Sequence, residues 1–133
     1  VWSATSINEL VREGNDVERY NRLHPTAEKK QSYISQCLDD KAGVVVASTD
    51  YIRAYAEQLR PWIKQRYVVL GTDGYGRSDT RERLRSFFEV DRYHVVVATL
   101  YALADEGAIK HDVVAKAIEQ YGINPDAPNP VKV

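Results

Sequence analysis

The sequence predicts an α/β domain built on a mostly parallel sheet, and three observations carry that prediction. Short β-branched runs alternate with amphipathic helical stretches along the chain. Two of the runs, Gly43 to Ser48 (GVVVAS) and Arg66 to Leu70 (RYVVL), are continuously apolar at their centres, the form of a strand buried on both faces of a parallel sheet. Between them Ile52, Tyr55, Ala56 and Leu59 recur at helical spacing, which makes a β-α-β unit, right-handed by the usual rule.

Val1 to Thr5 reads as a short, weakly patterned strand. Ser6-Ile7-Asn8-Glu9 has the capping-box form, so a helix starts at Ile7. Gly14 marks its end, and Asn15 or Asp16 caps a continuation whose Val17, Tyr20 and Leu23 share one face until His24-Pro25 stops it. Thr26 to Gln31 is a polar loop, after which Ser32 caps a short helix through Tyr33, Ile34, Cys37 and Leu38. Following the first buried strand, Thr49 or Asp50 is the expected cap of the crossover helix, which Pro61 limits.

After the second strand comes a glycine-rich turn, Gly71-Thr72-Asp73-Gly74-Tyr75-Gly76-Arg77-Ser78, and then a helix expected to be capped by Ser78. Positive φ is expected at Gly74 or Gly76, with Tyr75 pointing outward. The helix carries Arg81, Arg83 and Arg85 outside and Leu84, Phe87 and Phe88 inside. Periodicity alone does not separate strand from helix in Tyr93 to Leu100 (YHVVVATL). The Asp91 cap and the apolar pattern running on through Leu103 and Ala104 to Gly107 favour a helix. A last helix spans about Asp112 to Tyr121, closed by Gly122. Asn124 to Val133, with three prolines, reads as an extended arm or crossing strand without helical content.

Composition sets the limits on function. At 133 residues, 44% hydrophobic and 28% charged, the chain suits one domain, residues 1–133, with a single core. A net charge of −1 offers no excess of cations for a phosphate backbone or an anionic membrane. Val44 to Ala47 and Val95 to Ala98 are too short to cross a bilayer, and the expected location is cytoplasmic. Cys37 is alone and reads as a reduced, mostly buried thiol. The absence of methionine suggests that the chain is a fragment of a longer protein.

Candidate chemistry concentrates in the turn. A strand, glycines and a helix start form the usual α/β phosphate site, but Gly71-x-x-Gly74-x-Gly76 is neither the dinucleotide fingerprint nor a P-loop. A phosphate or nucleotide site and a purely structural turn therefore both stay open. Asp73, Arg77, Asp79 and Arg81 are expected to form a charge network, either functional or an ion-paired loop facing a partner domain. His24, His94 and His111 read as loop, helix-start or capping residues, with no carboxylate or cysteine beside them at a ligand spacing. The nine tyrosines are scattered over helix faces and make no stacking platform.

The runs Val46-Ala47-Ser48-Thr49-Asp50-Tyr51, Arg60-Pro61-Trp62, Val69-Leu70-Gly71-Thr72-Asp73-Gly74-Tyr75-Gly76-Arg77-Ser78-Asp79-Thr80-Arg81 and Phe88-Glu89-Val90-Asp91 resemble the C-terminal domain of the homodimeric bacterial pyruvate dehydrogenase component. Val1-Trp2-Ser3 and Leu23-His24-Pro25 match as well, so the resemblance covers essentially the whole chain. It implies a transketolase C-terminal-like fold, three-layer α/β/α, lacking here its first strand and helix. The family's enzymes decarboxylate pyruvate on thiamine diphosphate with Mg²⁺ and pass the acetyl unit to a lipoyl group of the transacetylase. In that family the cofactor lies between other domains of two subunits, and its Gly-Asp-Gly…Asn metal motif has no counterpart here. The resemblance thus implies no catalytic, metal or cofactor-binding residue in this chain. It implies a structural or dimer-supporting part whose partners are the remaining domains, the dimer mate and the transacetylase. Asp73, Gly74, Tyr75, Gly76, Arg77, Ser78, Asp79 and Arg81 form the expected interface loop. A docking domain for another component of the complex is the further alternative.

Overall fold

A computed structural model describes residues 1–133. In chain order it comprises α1 (Ile7–Leu23), α2 (Tyr33–Leu38), β1 (Val45–Ser48), α3 (Arg53–Glu57), β2 (Tyr67–Leu70), α4 (Arg81–Phe87), α5 (Arg92–Asp105) and α6 (His111–Gln120), with 3₁₀ turns at Arg60–Trp62 and Pro130–Lys132.

The two strands pair in parallel, Val45 opposite Tyr67 through Ser48 opposite Leu70. Side chains alternate across a strand, so every second residue shares a face. Val45, Ala47, Tyr67 and Val69 enter one apolar cluster with Ile7 of α1, Ile34 and Leu38 of α2, and Ala56, Leu59 and Ile63. Val46, Ser48 and Val68 therefore face the other way. On that side the Ser48 hydroxyl donates to the Val90 carbonyl at 3.0 Å, just ahead of α5, which lies against both strands and carries α6 on its back. The result is three layers, helix, parallel sheet, helix, as expected.

Local signals placed most helix ends. Ser6 Oγ accepts the Glu9 N–H at 3.3 Å, Ser32 Oγ that of Ser35 at 3.3 Å, and Asp91 Oδ1 those of Tyr93 and His94 at 3.0 and 2.9 Å. Glu9 does not reach back to complete the capping box; its carboxylate pairs with Arg12 at 2.6 Å. The Tyr93 to Leu100 run is helical, and Gly107 (φ 78°) and Gly122 (φ 64°) follow α5 and α6 in the left-handed region.

Five expectations are corrected. Val1 to Thr5 is no strand: it has no ladder partner, and Val1 and Trp2 stand exposed. Gly14 does not end α1, which runs through it to Leu23. A Cβ at Gly14 would lie 2.5–2.8 Å from the Trp62 ring, so the glycine is there for packing. Neither Thr49 nor Asp50 caps α3; Ile52 holds that position, and the Arg53 N–H goes to Asp73 Oδ2 across the turn at 3.1 Å. Ser78 is not the cap of α4. Thr80 is, taking the Arg83 N–H at 3.4 Å. The tail forms no strand and ends in a 3₁₀ turn, because Pro130 suits a first helical position and Asn129 Oδ1 accepts the Val131 N–H at 3.0 Å.

Gly14→Ala tests the first of these packing arguments. Alanine improves the helix by about 1 kcal/mol, but forcing a methyl into the indole costs about 1–3 kcal/mol. The variant is expected to melt lower than wild type; a higher melting temperature would show that the Trp62 contact yields freely.

The surface is large for the mass. A compact monomer of 15.1 kDa exposes about 7,100 Å², whereas this chain exposes 9486 Å². No large side chain is fully buried, and three of the four β1 residues are only half-buried. No helix is long and apolar enough to cross a membrane.

Candidate functional site

The glycine-rich turn is pinned over its first half and free over its second. Gly71 leaves β2 against the start of α3: a Cβ there would lie 2.6 Å from the Arg53 N and 2.8 Å from the Tyr51 carbonyl oxygen. The next residues fasten to the same segment. Thr72 N–H donates to the Tyr51 carbonyl at 2.9 Å, Thr72 Oγ1 to the Asp50 carbonyl at 2.8 Å, and Asp73 accepts from Arg53 N–H. Gly74 has φ of +110° and meets the backbone of Pro130 and Val131. Of the two glycines expected to show positive φ, Gly74 does and Gly76 does not.

Beyond Gly74 the chain projects. Tyr75 is 80% exposed, and nothing lies within 4 Å of a Cβ at Gly76. Arg77, itself exposed, lies over α4 with its guanidinium 4.3 Å from the centre of the Phe87 ring. With Ser78, Asp79, Arg83 and Leu84 these two edge a small hollow of about 300 Å³.

The expected network of Asp73, Arg77, Asp79 and Arg81 does not form. Asp73 Oδ2 takes the Arg53 N–H at 3.1 Å, Asp79 Oδ1 takes the Thr80 N–H at 2.7 Å, and Arg77 lies on Phe87. Each carboxylate meets a backbone donor, and the arginines are carried elsewhere by the path of the chain. The ion pair that does form was not foreseen: Arg85 grips Asp50 through Nε at 3.1 Å and Nη2 at 2.7 Å. That hydrogen bonding holds the Asp50 carboxyl below its usual range, with Arg81 adding a weaker field, and raises the Arg85 guanidinium.

Asp50 and Arg85 also line a cleft of about 1050 Å³, bounded by the end of β1, α4, the start of α5 and the tail residues Asn124, Ala127 and Pro128. In its wall His94, expected at a helix start and found in the first turn of α5, has its Nδ1 2.8 Å from Asp91 Oδ1. Burial by itself would raise the Asp91 carboxyl, but hydrogen bonds from the His94 backbone and ring and from Tyr93 N–H outweigh it, and the net shift is downward. The Asp-x-x-His spacing at a helix start was the available signal. Glu89, on the same rim, has φ of 59°, a rare conformation for a residue with a side chain.

These residues do not fit a metal-diphosphate group. Asp73 is occupied by the Arg53 N–H, Gly74 abuts the backbone of the tail on its Cβ side, and no three His, Cys, Asp or Glu side chains come together to hold a metal ion.

Residues 1–91 match the family described as the transketolase-like TK C-terminal domain. The chain belongs to that family. This transketolase-like domain is 59% identical over 133 residues, all of the chain, to the pyruvate dehydrogenase E1 component of Cupriavidus necator, of which it covers 15%. It is 50% identical over 131 residues, 98% of the chain, to the protein of that name from Escherichia coli K12, covering 14% of it. The protein of that name from Mycolicibacterium smegmatis is 47% identical over 124 residues, 93% of the chain and 13% of the relative. The chain thus spans about a seventh of the length of these relatives. The family match contains β1, α3, β2, the glycine-rich turn and α4, while α5, α6 and the tail that meets Gly74 lie beyond it.

Proposed function

We propose that residues 1–133 form a single domain of a pyruvate dehydrogenase E1 component, with a structural, dimer-supporting role. In this reading the whole protein decarboxylates pyruvate on thiamine diphosphate and Mg²⁺ held outside these residues. It passes the acetyl unit to lipoyl groups of a transacetylase. The observation that carries the role is Tyr75, 80% exposed at the tip of a turn whose base is fixed by hydrogen bonds and close backbone contacts. A large, rigid, amphipathic side chain on a firm base loses little entropy when a partner covers it. The excess surface of about 2,400 Å² over a compact monomer supports the same reading, since it is what one side of a large obligate interface buries. Both outer edges of the two-stranded sheet are also without a strand, and a strand and helix from the rest of the protein would cover one of them.

A phosphate or nucleotide site at the turn is disfavoured. The carboxylates of Asp73 and Asp79 take the Arg53 and Thr80 N–H groups, which places negative charge where an anion would have to sit.

The test is the double variant Tyr75→Ala with Arg77→Ala in the full-length protein. Expected are weaker dimerisation and a higher thiamine diphosphate concentration for half activity, with the saturated rate less affected. Unchanged dimer dissociation and unchanged cofactor dependence would sink the interface reading. Loss of transacetylase binding with the dimer intact would favour a docking role.

A further inference from the structure

At Gly74 the turn touches the end of the chain backbone to backbone. A Cβ there would stand 2.8 Å from the Pro130 carbonyl oxygen and 3.2 Å from Val131 Cα, and φ of +110° already disfavours any side chain. Only glycine lets the tail approach this closely. The arriving segment is itself organised. Asn129 Oδ1 accepts the Val131 N–H at 3.0 Å and the Asn129 carbonyl accepts that of Lys132 at 2.9 Å, so Pro130–Lys132 meets Gly74 as a preformed turn. Upstream, Asn124 holds the bend through Asp126 N–H at 3.0 Å and Ala127 N–H at 3.2 Å, where the tail walls the cleft.

From this geometry we propose that residues 124–133 are a latch: Pro130 and Val131 seat on Gly74 and hold the turn in the shape that projects Tyr75. What the latch is for rests on the interface reading above; its existence does not. The neighbouring glycine supplies an internal contrast. Gly76 has ordinary φ and open space around it, so a methyl there disturbs neither the turn nor the tail.

Hydrogen exchange by mass spectrometry on the full-length protein tests the coupling in both directions. Gly74→Ala is expected to speed exchange at Val131 and Lys132 by about tenfold or more, as a local opening made easier by about 1.4 kcal/mol would, while Gly76→Ala leaves those amides as in wild type. Deleting residues 129–133 leaves the turn's own sequence intact and is expected to speed exchange at Thr72 and through residues 74–76. Tail exchange no faster in Gly74→Ala than in Gly76→Ala, or a turn indifferent to the deletion, overturns the latch. Dimer dissociation of the Tyr75 variant is a separate measurement, so the latch and the interface can fail independently.

Discussion

Gly71→Ala is expected to be among the most damaging single-methyl additions in the chain, costing about 3 kcal/mol, the upper part of the usual range for overpacking. Its Cβ would meet the Arg53 N at 2.6 Å and the Tyr51 carbonyl oxygen at 2.8 Å, and these are backbone atoms with no rotamer to escape into. Relief requires β2 and the start of α3 to move apart. That movement stretches the Thr72 N–H bond to Tyr51 at 2.9 Å and the Arg53 N–H bond to Asp73 at 3.1 Å, the fastenings of the turn's base. Gly76→Ala is the control, expected to stay within a few tenths of a kcal/mol of wild type or gain slightly, since alanine restricts only the unfolded chain there. Thermal denaturation of protein carrying each variant decides it. A Gly71→Ala protein as stable as the Gly76→Ala protein would mean that the close approach is not rigid.

What the sequence made legible divides by range. The caps at Ser6, Ser32 and Asp91 each depend on groups within one helical turn, so residue type and spacing were enough. The β-branched runs of β1 and β2 announced themselves because a strand covered on both faces tolerates little else. Gly14 was misread because its reason, the Trp62 indole, lies far along the chain and leaves no local trace. Ser78 and Thr80 are equally good caps by chemistry. The choice fell to Thr80, with Asp79 accepting the Thr80 N–H at the start of the helix, which no pattern expresses.

The site followed the same rule. An exposed Tyr75 and a positive φ at Gly74 were readable from glycines flanking an aromatic residue. The tail that abuts Gly74, the Arg85 grip on Asp50 and the cleft they border were not readable, because each joins segments brought together only by the three-layer arrangement. The expected charge network failed for a related reason. Asp73 and Asp79 found backbone N–H groups, which are fixed in place, ahead of arginine side chains that must be ordered to pair.

Between about pH 10 and 12 the protein is expected to lose about 2 kcal/mol of stability through Tyr67 alone. Tyr67 lies in the core between sheet and helices, only 6% exposed, and its hydroxyl donates to the Ala56 carbonyl at 2.8 Å. Burial first, then the Glu57 carboxylate, push its pKa from 10.0 up to about 12, with Arg60 opposing. The unfolded chain releases the phenolic proton at about 10, whereas the folded one keeps it until about 12. The contribution is therefore complete below the unfolded value and is lost as pH rises through the folded one. Tyr67→Phe separates this from every other alkaline titration, which both proteins share. At neutral pH the variant lacks one buried hydrogen bond and is expected to be about 1 kcal/mol less stable. As the pH climbs its deficit shrinks and then reverses, because phenylalanine has no proton to lose in the core. Urea unfolding across this pH range reads both curves, and a constant gap between Tyr67→Phe and wild type up to pH 12 would show that the Tyr67 hydroxyl does not govern the alkaline limb.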